Sequence, residues 1–447
     1  MTTPRSTTPR TARAGVVRPK INRASSKIRK PLTRTSHTQV AADVSRRRLA
    51  GDKNAPTDVG GYTLSTDRAG YAKPGLKVLL QSPGWRDETR KALTDLIRRG
   101  AGKGLPVTLD FDNTIVWGDI GEATFGVLVK KGALSARRIP RTLSPSFRLP
   151  QGASVALDSG PDLTSYYEAY LAPTVHGAAD PTALANGYAW VVEIMEGLSP
   201  WDVVQATQEA FGFGEPMQPR MIEVTAGKTS FPAPFFYPAM VELIGELRRH
   251  EFDVWVISAS NVWSVRWMVT KALNPLLEAH GAASGIPADH VVGISALLQD
   301  TAGGLYKDAL LVRENPAYAA LEERTLRSFQ LTSRLQYPVP TYAGKVGCIW
   351  DAVGRHPYLA AGDSPGDHAM LSFSEHRLWI MRMDKPGYQQ KTADCIRRTG
   401  KKGWMIQPVI GRDALGFRTS FDAPPGANAP LRDAIRQSCE LFRMPGR

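Results

Sequence analysis

The sequence predicts an α/β protein built on a doubly wound parallel sheet. Two observations carry this expectation. Short apolar runs (Leu105–Phe111, Asp253–Ile257, Tyr358–Ala361 and Arg377–Met381) alternate with stretches of helical period. Several of the runs also end in acids or hydroxyls followed by turn residues, which is where open α/β sheets present their ligands.

The elements follow in chain order. The first 55 residues hold 14 basic and 2 acidic residues, whereas the other 392 hold 42 and 40, so most of the formal charge of +14 lies on a leader. Residues 1–70 are rich in Ser, Thr, Pro and Arg, with no aromatic before Tyr62. Such a segment cannot bury enough apolar surface to offset its ordering entropy, and it reads as disordered. It lacks the apolar stretch of a secretory signal peptide. An organelle transit peptide, an electrostatic anchor for nucleic acid or anionic lipid, and the unfolded start used by specialised bacterial secretion machinery all suit this composition.

Asp87 to Arg99 reads as a helix with Ala92, Leu93, Leu96 and Ile97 on one face, ended by Gly100. Leu105 to Phe111 follows as a buried parallel strand. Residues 118–236 then interrupt the alternation and read mainly as helices, which predicts a cap domain inserted after the first strand. The alternation resumes with a helix over Ala239–Arg249, a strand over Asp253–Ile257 and a helix over Asn261–Leu277. Two strands, Tyr358–Ala361 and Arg377–Met381, complete the expected sheet. The core therefore divides into residues 71–117 and 237–447, the latter including a C-terminal extension.

Composition excludes several classes. Hydrophobic content of 42% and charged content of 22% are ordinary for a globular chain. No run reaches the ~18 apolar residues of a membrane-spanning helix. Three cysteines (Cys348, Cys395, Cys439) without C-x-x-C spacing argue against a disulfide scaffold or structural zinc, and for a reducing place of action.

The candidate chemistry begins at Asp110-Phe-Asp-Asn-Thr114, where two carboxylates one residue apart leave the end of the first strand. Alone this is an ordinary turn sequence. Three later features give it weight. Ser258 ends the second strand. Lys345 lies in Ala343-Gly-Lys-Val-Gly347, just ahead of a further strand-like stretch. Gly362-Asp-Ser-Pro-Gly-Asp367 brings two more acids into a Gly/Pro turn. Each has a plain structural reading: Ser258 as a cap for the helix beginning near Asn261, Lys345 as a solvated side chain, the acidic turn as only a turn. Their order, each after an apolar strand, is the joint signal.

With these four motifs in order, residues 105–400 resemble the haloacid dehalogenase superfamily. Asp119-Ile-Gly-Glu-Ala-Thr-Phe125 and the Gly-Asp-Ser-Pro-Gly-Asp-His-Ala-Met-Leu371 form of the last motif are similar to its phosphoserine and phosphorylcholine phosphatase-like branch. The resemblance implies that Asp110 is a nucleophile forming an aspartyl-phosphate and that Asp112 is the general acid and base. It implies that Ser258 and Lys345 hold the phosphoryl group and its charge. Magnesium is implied at Asp110, the backbone carbonyl of Asp112, and Asp363, with Asp367 orienting Lys345 or a metal-bound water. Lys307 competes for the lysine role; the 18-residue separation of Lys345 from Asp363 favours Lys345. Asn113 and Thr114 are expected to shape the turn. The second acid, Asp112, argues against carbon–halogen chemistry, and the chain lacks the Asp-Lys-Thr-Gly of P-type ATPases.

In this superfamily such an insertion closes over the site. Its Tyr166, Tyr167, Tyr170, Trp190, Trp201, Phe211 and Phe213 suit either a cage for a quaternary ammonium or, in the simpler reading, the packing of the cap itself. Its Lys130, Lys131, Arg137 and Arg138 suit an anionic substrate or a solvated face.

Three functions are compatible with these residues. One is a magnesium-dependent phosphatase acting on a phosphorylated small molecule or a phosphoprotein. The second is a phosphotransferase passing the group to another acceptor at the same site. The third is a nucleic-acid or membrane-binding protein that works through its leader. The leader joined to such a body also resembles a type III secreted effector of a plant-pathogenic bacterium. That implies a host-cell location, a host protein target, and a secretion apparatus or chaperone that engages residues 1–70; the alternative is the bacterial cytoplasm.

Overall fold

Acids in the first turn (Asp87, Glu88) and bases in the last (Arg98, Arg99) match the dipole of helix α1, Asp87–Gly100, and Leu93, Leu96 and Ile97 form its buried face. These residues belong to a computed structural model that describes residues 79–134, 163, 164, 167, 187–400, 402–411 and 415–442. The expected disordered leader, residues 1–70, lies outside the described residues.

After α1 the chain enters β1 (Pro106–Leu109), buried along its whole length. A short β2 (Val116–Trp117) follows, then α2 (Ile120–Lys130), α3 (Gly187–Glu193) and α4 (Pro200–Gly212). A hairpin of β3 (Met221–Thr225) and β4 (Thr229–Pro232) comes next, and β5 (Phe235–Phe236) pairs antiparallel with β2. Residues 118–236, expected to be mainly helical, thus also carry one hairpin among their described residues. Its turn is made at Gly227, with φ of 64°, a conformation that glycine adopts without strain.

The sheet resumes after α5 (Pro238–Arg249) with β6 (Asp253–Asn261), which runs into α6 (Val262–Trp267) and on through a π turn to Ala279. Then come β7 (Val291–Ile294) and a region the apolar runs do not foretell. There β8 (Ala296–Asp300), β9 (Leu305–Tyr306) and β10 (Phe329–Leu335) form a separate antiparallel sheet in the order β10-β8-β9. Next is α7, Gly344–Ala352. The expectation of a strand-like stretch just after Lys345 is wrong, because Lys345 sits in the first turn of this helix. Cys348 and Ile349 are spaced to bury one helical face, and a short apolar run fits either period.

The last elements are β11 (Leu359–Gly362), α8 (His368–Phe373), β12 (His376–Arg382), α9 (Pro386–Thr399), β13 (Trp404–Ile410), β14 (Gly416–Phe417) and α10 (Ala429–Phe442). Seven strands form one sheet in the order β14-β13-β12-β11-β1-β6-β7, parallel except for the β13–β14 pair.

Alternation along these strands makes two cores. Leu109, Val256, Leu359 and Ile380 face one side, packed with Leu93, Leu96 and residues of α5. Trp255, Ile257, Ala360, Trp379 and Met381 face the other, packed with Ile349, Leu371 and Ile435. This is the doubly wound arrangement, with the interior strands β1, β6 and β11 buried on both faces. Glu242 of α5 fastens the approach to α1: its carboxylate accepts from Gln81 N at 2.6 Å, Ser82 N at 3.0 Å and Trp85 Nε1 at 3.1 Å.

Candidate active site

The central strand places Asp110. Leu109 pairs with Ala361 of β11, and Asp110 N donates to the Ala361 carbonyl at 3.0 Å, so Asp110 stands at the carboxyl end of the sheet beside the turn that carries Asp363. The chain then coils at once: Ile115 N bonds the Phe111 carbonyl at 2.8 Å, and Asn113 takes a left-handed φ of 55°. Asn tolerates that region better than most residues, which accounts for its place in the turn. Thr114 does more than shape the turn. Its hydroxyl lies 3.0 Å from Asp110 Oδ2 and 3.4 Å from Asp363 Oδ1.

Lys345 reaches in from α7, 2% exposed, with Nζ 2.6 Å from both Asp110 Oδ1 and Asp367 Oδ1. Asp367 is fixed in turn, its Oδ2 accepting from Asp363 N at 3.2 Å and Ser364 N at 3.1 Å. Gly362 makes room for it, since a Cβ there would meet the Asp367 carboxyl carbon at 2.5 Å. Arg382, at the end of β12, donates to Asp363 Oδ2 at 3.1 Å.

Asp112 lies across the cavity. Its Oδ1 accepts from Ile120 N, the first residue of α2, at 2.8 Å. Its Oδ2 accepts from the hydroxyls of Ser260 at 2.7 Å and Ser258 at 3.2 Å. The helix after β6 is capped by Asn261, whose side chain accepts from Ser264 N, so Ser258 is not spent on capping.

The electrostatics follow from burial. Asp110 is held well above the usual carboxylate range, first by desolvation and then by the charge of Asp367, with Lys345 opposing. Asp112 is raised in the same way by desolvation and by Asp119 and Asp110. Asp363 is pushed up to about 6 by burial, against the pull of Arg382. Desolvation disfavours the charged form of Lys345, but Asp110 and Asp367 outweigh it and hold the ammonium above its ordinary range.

These groups line a cavity of about 400 Å³, which Asp119, Glu122, Tyr188, Tyr342, Lys385 and Tyr388 also face. One carboxylate oxygen from each of Asp110, Asp363 and Asp367 lies within 4.8 Å of the others. A compact, buried, oxygen-only donor set suits a hard divalent cation such as magnesium, so the residues present fit the expected ion. The carboxylate of Asp112 is not in that group; the expectation there concerned its backbone carbonyl.

No family model matches the chain. Phosphorylcholine phosphatase of Pseudomonas aeruginosa is 24% identical over 322 residues, covering 70% of this chain and 84% of that protein. The chain is thus similar, over most of both lengths, to a protein named as a phosphatase. Among solved structures, a conserved protein of unknown function from Anaerococcus prevotii has 17% identity and a TM-score of 0.49, covering 77% of this chain and 98% of that one. A phosphoserine phosphatase captured as a phospho-aspartyl intermediate analogue has 13% identity and a TM-score of 0.31, covering 62% of this chain and 87% of that one.

Of the residues the four motifs singled out, the structure brings Asp110, Asp112, Ser258, Lys345, Asp363 and Asp367 to one sheet edge. Lys307 is elsewhere, exposed at the start of the helix Asp308–Glu314. Sequence reasoning missed Arg382, Ser260 and Tyr188. A Ser-x-Ser ending an apolar strand was a usable signal for Ser260; Arg382 and Tyr188 carry no spacing signature.

Of the aromatics named for a cage, Tyr167 stacks on Trp190 with centroids 6.5 Å apart and bonds Glu122 Oε1 at 2.8 Å. Trp190 and Phe231 both pack on Phe125, and Phe211 packs on Phe236 and Trp267. These form the interior of the inserted region rather than the cavity wall; Tyr166 and Tyr170 lie outside the described residues. Lys130 is exposed and Lys131 pairs with Glu209, while Arg137 and Arg138 lie outside the described residues.

Proposed function

We propose that the chain is a magnesium-dependent phosphatase that hydrolyses a small phosphomonoester through an aspartyl-phosphate on Asp110. The observation that carries this reading is the Lys345 ammonium seated between Asp110 and Asp367, with Asp112 and Asp363 lining the same cavity. An Asp110 oxygen forms the new bond to phosphorus as the ester oxygen leaves and takes its proton from Asp112. Asp112 then accepts a proton from water, whose oxygen attacks the aspartyl-phosphate and releases phosphate and Asp110. In this reading Lys345 holds the equatorial oxygens, and Ser258, whose hydroxyl bonds Asp112 Oδ2 at 3.2 Å, acts beside it as the motif resemblance implies. A divalent cation at Asp110 and Asp363 supplies positive charge that favours ionised carboxylates and offsets the phosphoryl charge.

The cavity volume suits a small molecule, and phosphorylcholine heads the substrate panel because the curated relative bears that name. The test is hydrolysis of nitrophenyl phosphate with magnesium by wild type and Asp110→Asn. Wild-type turnover that the variant loses by about a thousandfold or more, with an unchanged circular dichroism spectrum, supports the reading. Equal activity overturns it, and aspartyl-phosphate that forms without phosphate release redirects it to transfer.

We further propose delivery into a host cell by a type III apparatus. The composition of residues 1–70 supports this, as do the three free cysteines of the body. Residues 1–70 fused to a reporter enzyme should enter host cells only from a secretion-competent strain; equal entry from a secretion-null strain removes the proposal.

A further inference from the structure

Ser260 stands two residues beyond the motif serine, 4% exposed, where three parts of the molecule meet. Its hydroxyl is 2.7 Å from Asp112 Oδ2 and 3.2 Å from Asp119 Oδ1, and it accepts from Gly121 N at 3.2 Å. A serine has one proton to donate, and the shorter contact assigns it to Asp112. Asp119 is itself fixed, because it caps α2 by accepting from Glu122 N at 2.9 Å. Ile120 N takes the other oxygen of Asp112 at 2.8 Å. Both oxygens of Asp112 are therefore referred to the N-terminus of α2, one directly and one through Ser260.

Residue 121 shows how closely this joint is fitted. A Cβ on Gly121 would lie 2.5 Å from Ser260 Oγ and 3.1 Å from both Ser260 Cβ and Asp119 Oδ1. A single methyl group at residue 121 would press on the very hydroxyl that bonds Asp112.

We propose that Ser260, seated over Gly121, is a positioning residue that fixes Asp112 in the orientation from which it protonates the leaving oxygen. This rests on the reading of Asp112 as the general acid. Loss of the hydroxyl leaves the nucleophile, Lys345 and the Asp363–Asp367 turn in place. It frees one oxygen of Asp112 from the Ser260–Gly121 joint, so the cost falls on proton delivery to the departing oxygen rather than on binding.

The experiment compares kcat/KM of wild type and Ser260→Ala, with magnesium, on two aryl phosphates that differ in leaving group. Nitrophenolate departs without a proton near neutral pH, whereas the leaving oxygen of phenyl phosphate depends on one. The expected result is a loss of roughly tenfold or more on phenyl phosphate and much less on nitrophenyl phosphate, at nearly constant KM. Gly121→Ala should show the same leaving-group dependence. The double variant should lose less than the product of the single losses, because both act on one contact. Equal losses on both esters, or no loss on either, overturn the inference while leaving the hydrolase reading intact. A wild type that hydrolyses neither ester, like Asp110→Asn, overturns both.

Discussion

Arg382 Nη1 lies 3.1 Å from Asp363 Oδ2, which ties the end of β12 to the acid at the end of β11. The guanidinium opposes the burial that pushes the Asp363 carboxyl up to about 6. Removing it in Arg382→Gln raises that value further, so the ionised form appears only at higher pH. The acidic limb of the pH–rate profile should move upward, and more magnesium should be needed for half-maximal activity. An unmoved limb would show that Arg382 does not act through Asp363.

Magnesium should raise the melting temperature at pH 7.5, by an amount equivalent to about 2.7 kcal/mol at a hundred times its dissociation constant. Protons compete for the same oxygens. The folded-state value of Asp363, about 6, exceeds the ~3.9 of an unfolded aspartate, so without the cation this group favours folding below its unfolded value and loses that contribution as pH rises through 6. The melting curves with and without magnesium should therefore converge as pH falls from 7 to 5. Differential scanning calorimetry across that range checks the sign.

Lys345→Met removes the buried cation between Asp110 and Asp367, and breaking one side of such a cluster costs about 3 kcal/mol or more. The loss should be largest at neutral pH and shrink in acid, where Asp110 takes up a proton and needs no partner. Urea unfolding at two pH values measures the difference, and turnover should fall in the same variant.

Glu242→Ala should destabilise without touching catalysis. It leaves Ser82 N and Trp85 Nε1 without their acceptor, a cost of about 2 kcal/mol, and Glu242 does not face the cavity. Early proteolysis between Leu80 and Trp85, at unchanged kcat, is the expected signature.

Deleting residues 1–55 should leave kcat/KM within about twofold of wild type, since the residues that line the cavity are all drawn from positions 110–391. A large loss would assign the leader a part in catalysis.

The sheet was legible where a strand is buried on both faces, because such strands read as apolar runs: Leu105–Phe111 and Asp253–Ile257 both proved to be interior strands. The acids were legible because strand ends are where function gathers. Lys345 was found but assigned the wrong surroundings, since Val346 to Trp350 fits a strand and a helix equally well. Arg382 could not be found, as one arginine after a strand resembles any other until β11 and β12 are known to be neighbours. The small β8–β9–β10 sheet was also hidden, because ten of its fourteen positions are exposed or only partly buried and its strands lack a continuous apolar signal.

The strand order has a consequence for the life of the chain. β1 is made early yet lies between β6 and β11, and its β11 edge stays bare until residues 359–362 exist. Asp110, Lys345 and Asp367 then meet only after most of the polypeptide has been synthesised. A nascent or truncated chain ending before that point holds Asp110 without Asp363 and Asp367. Chemical competence arrives late and all at once, so the cell that makes this protein handles no half-active fragment.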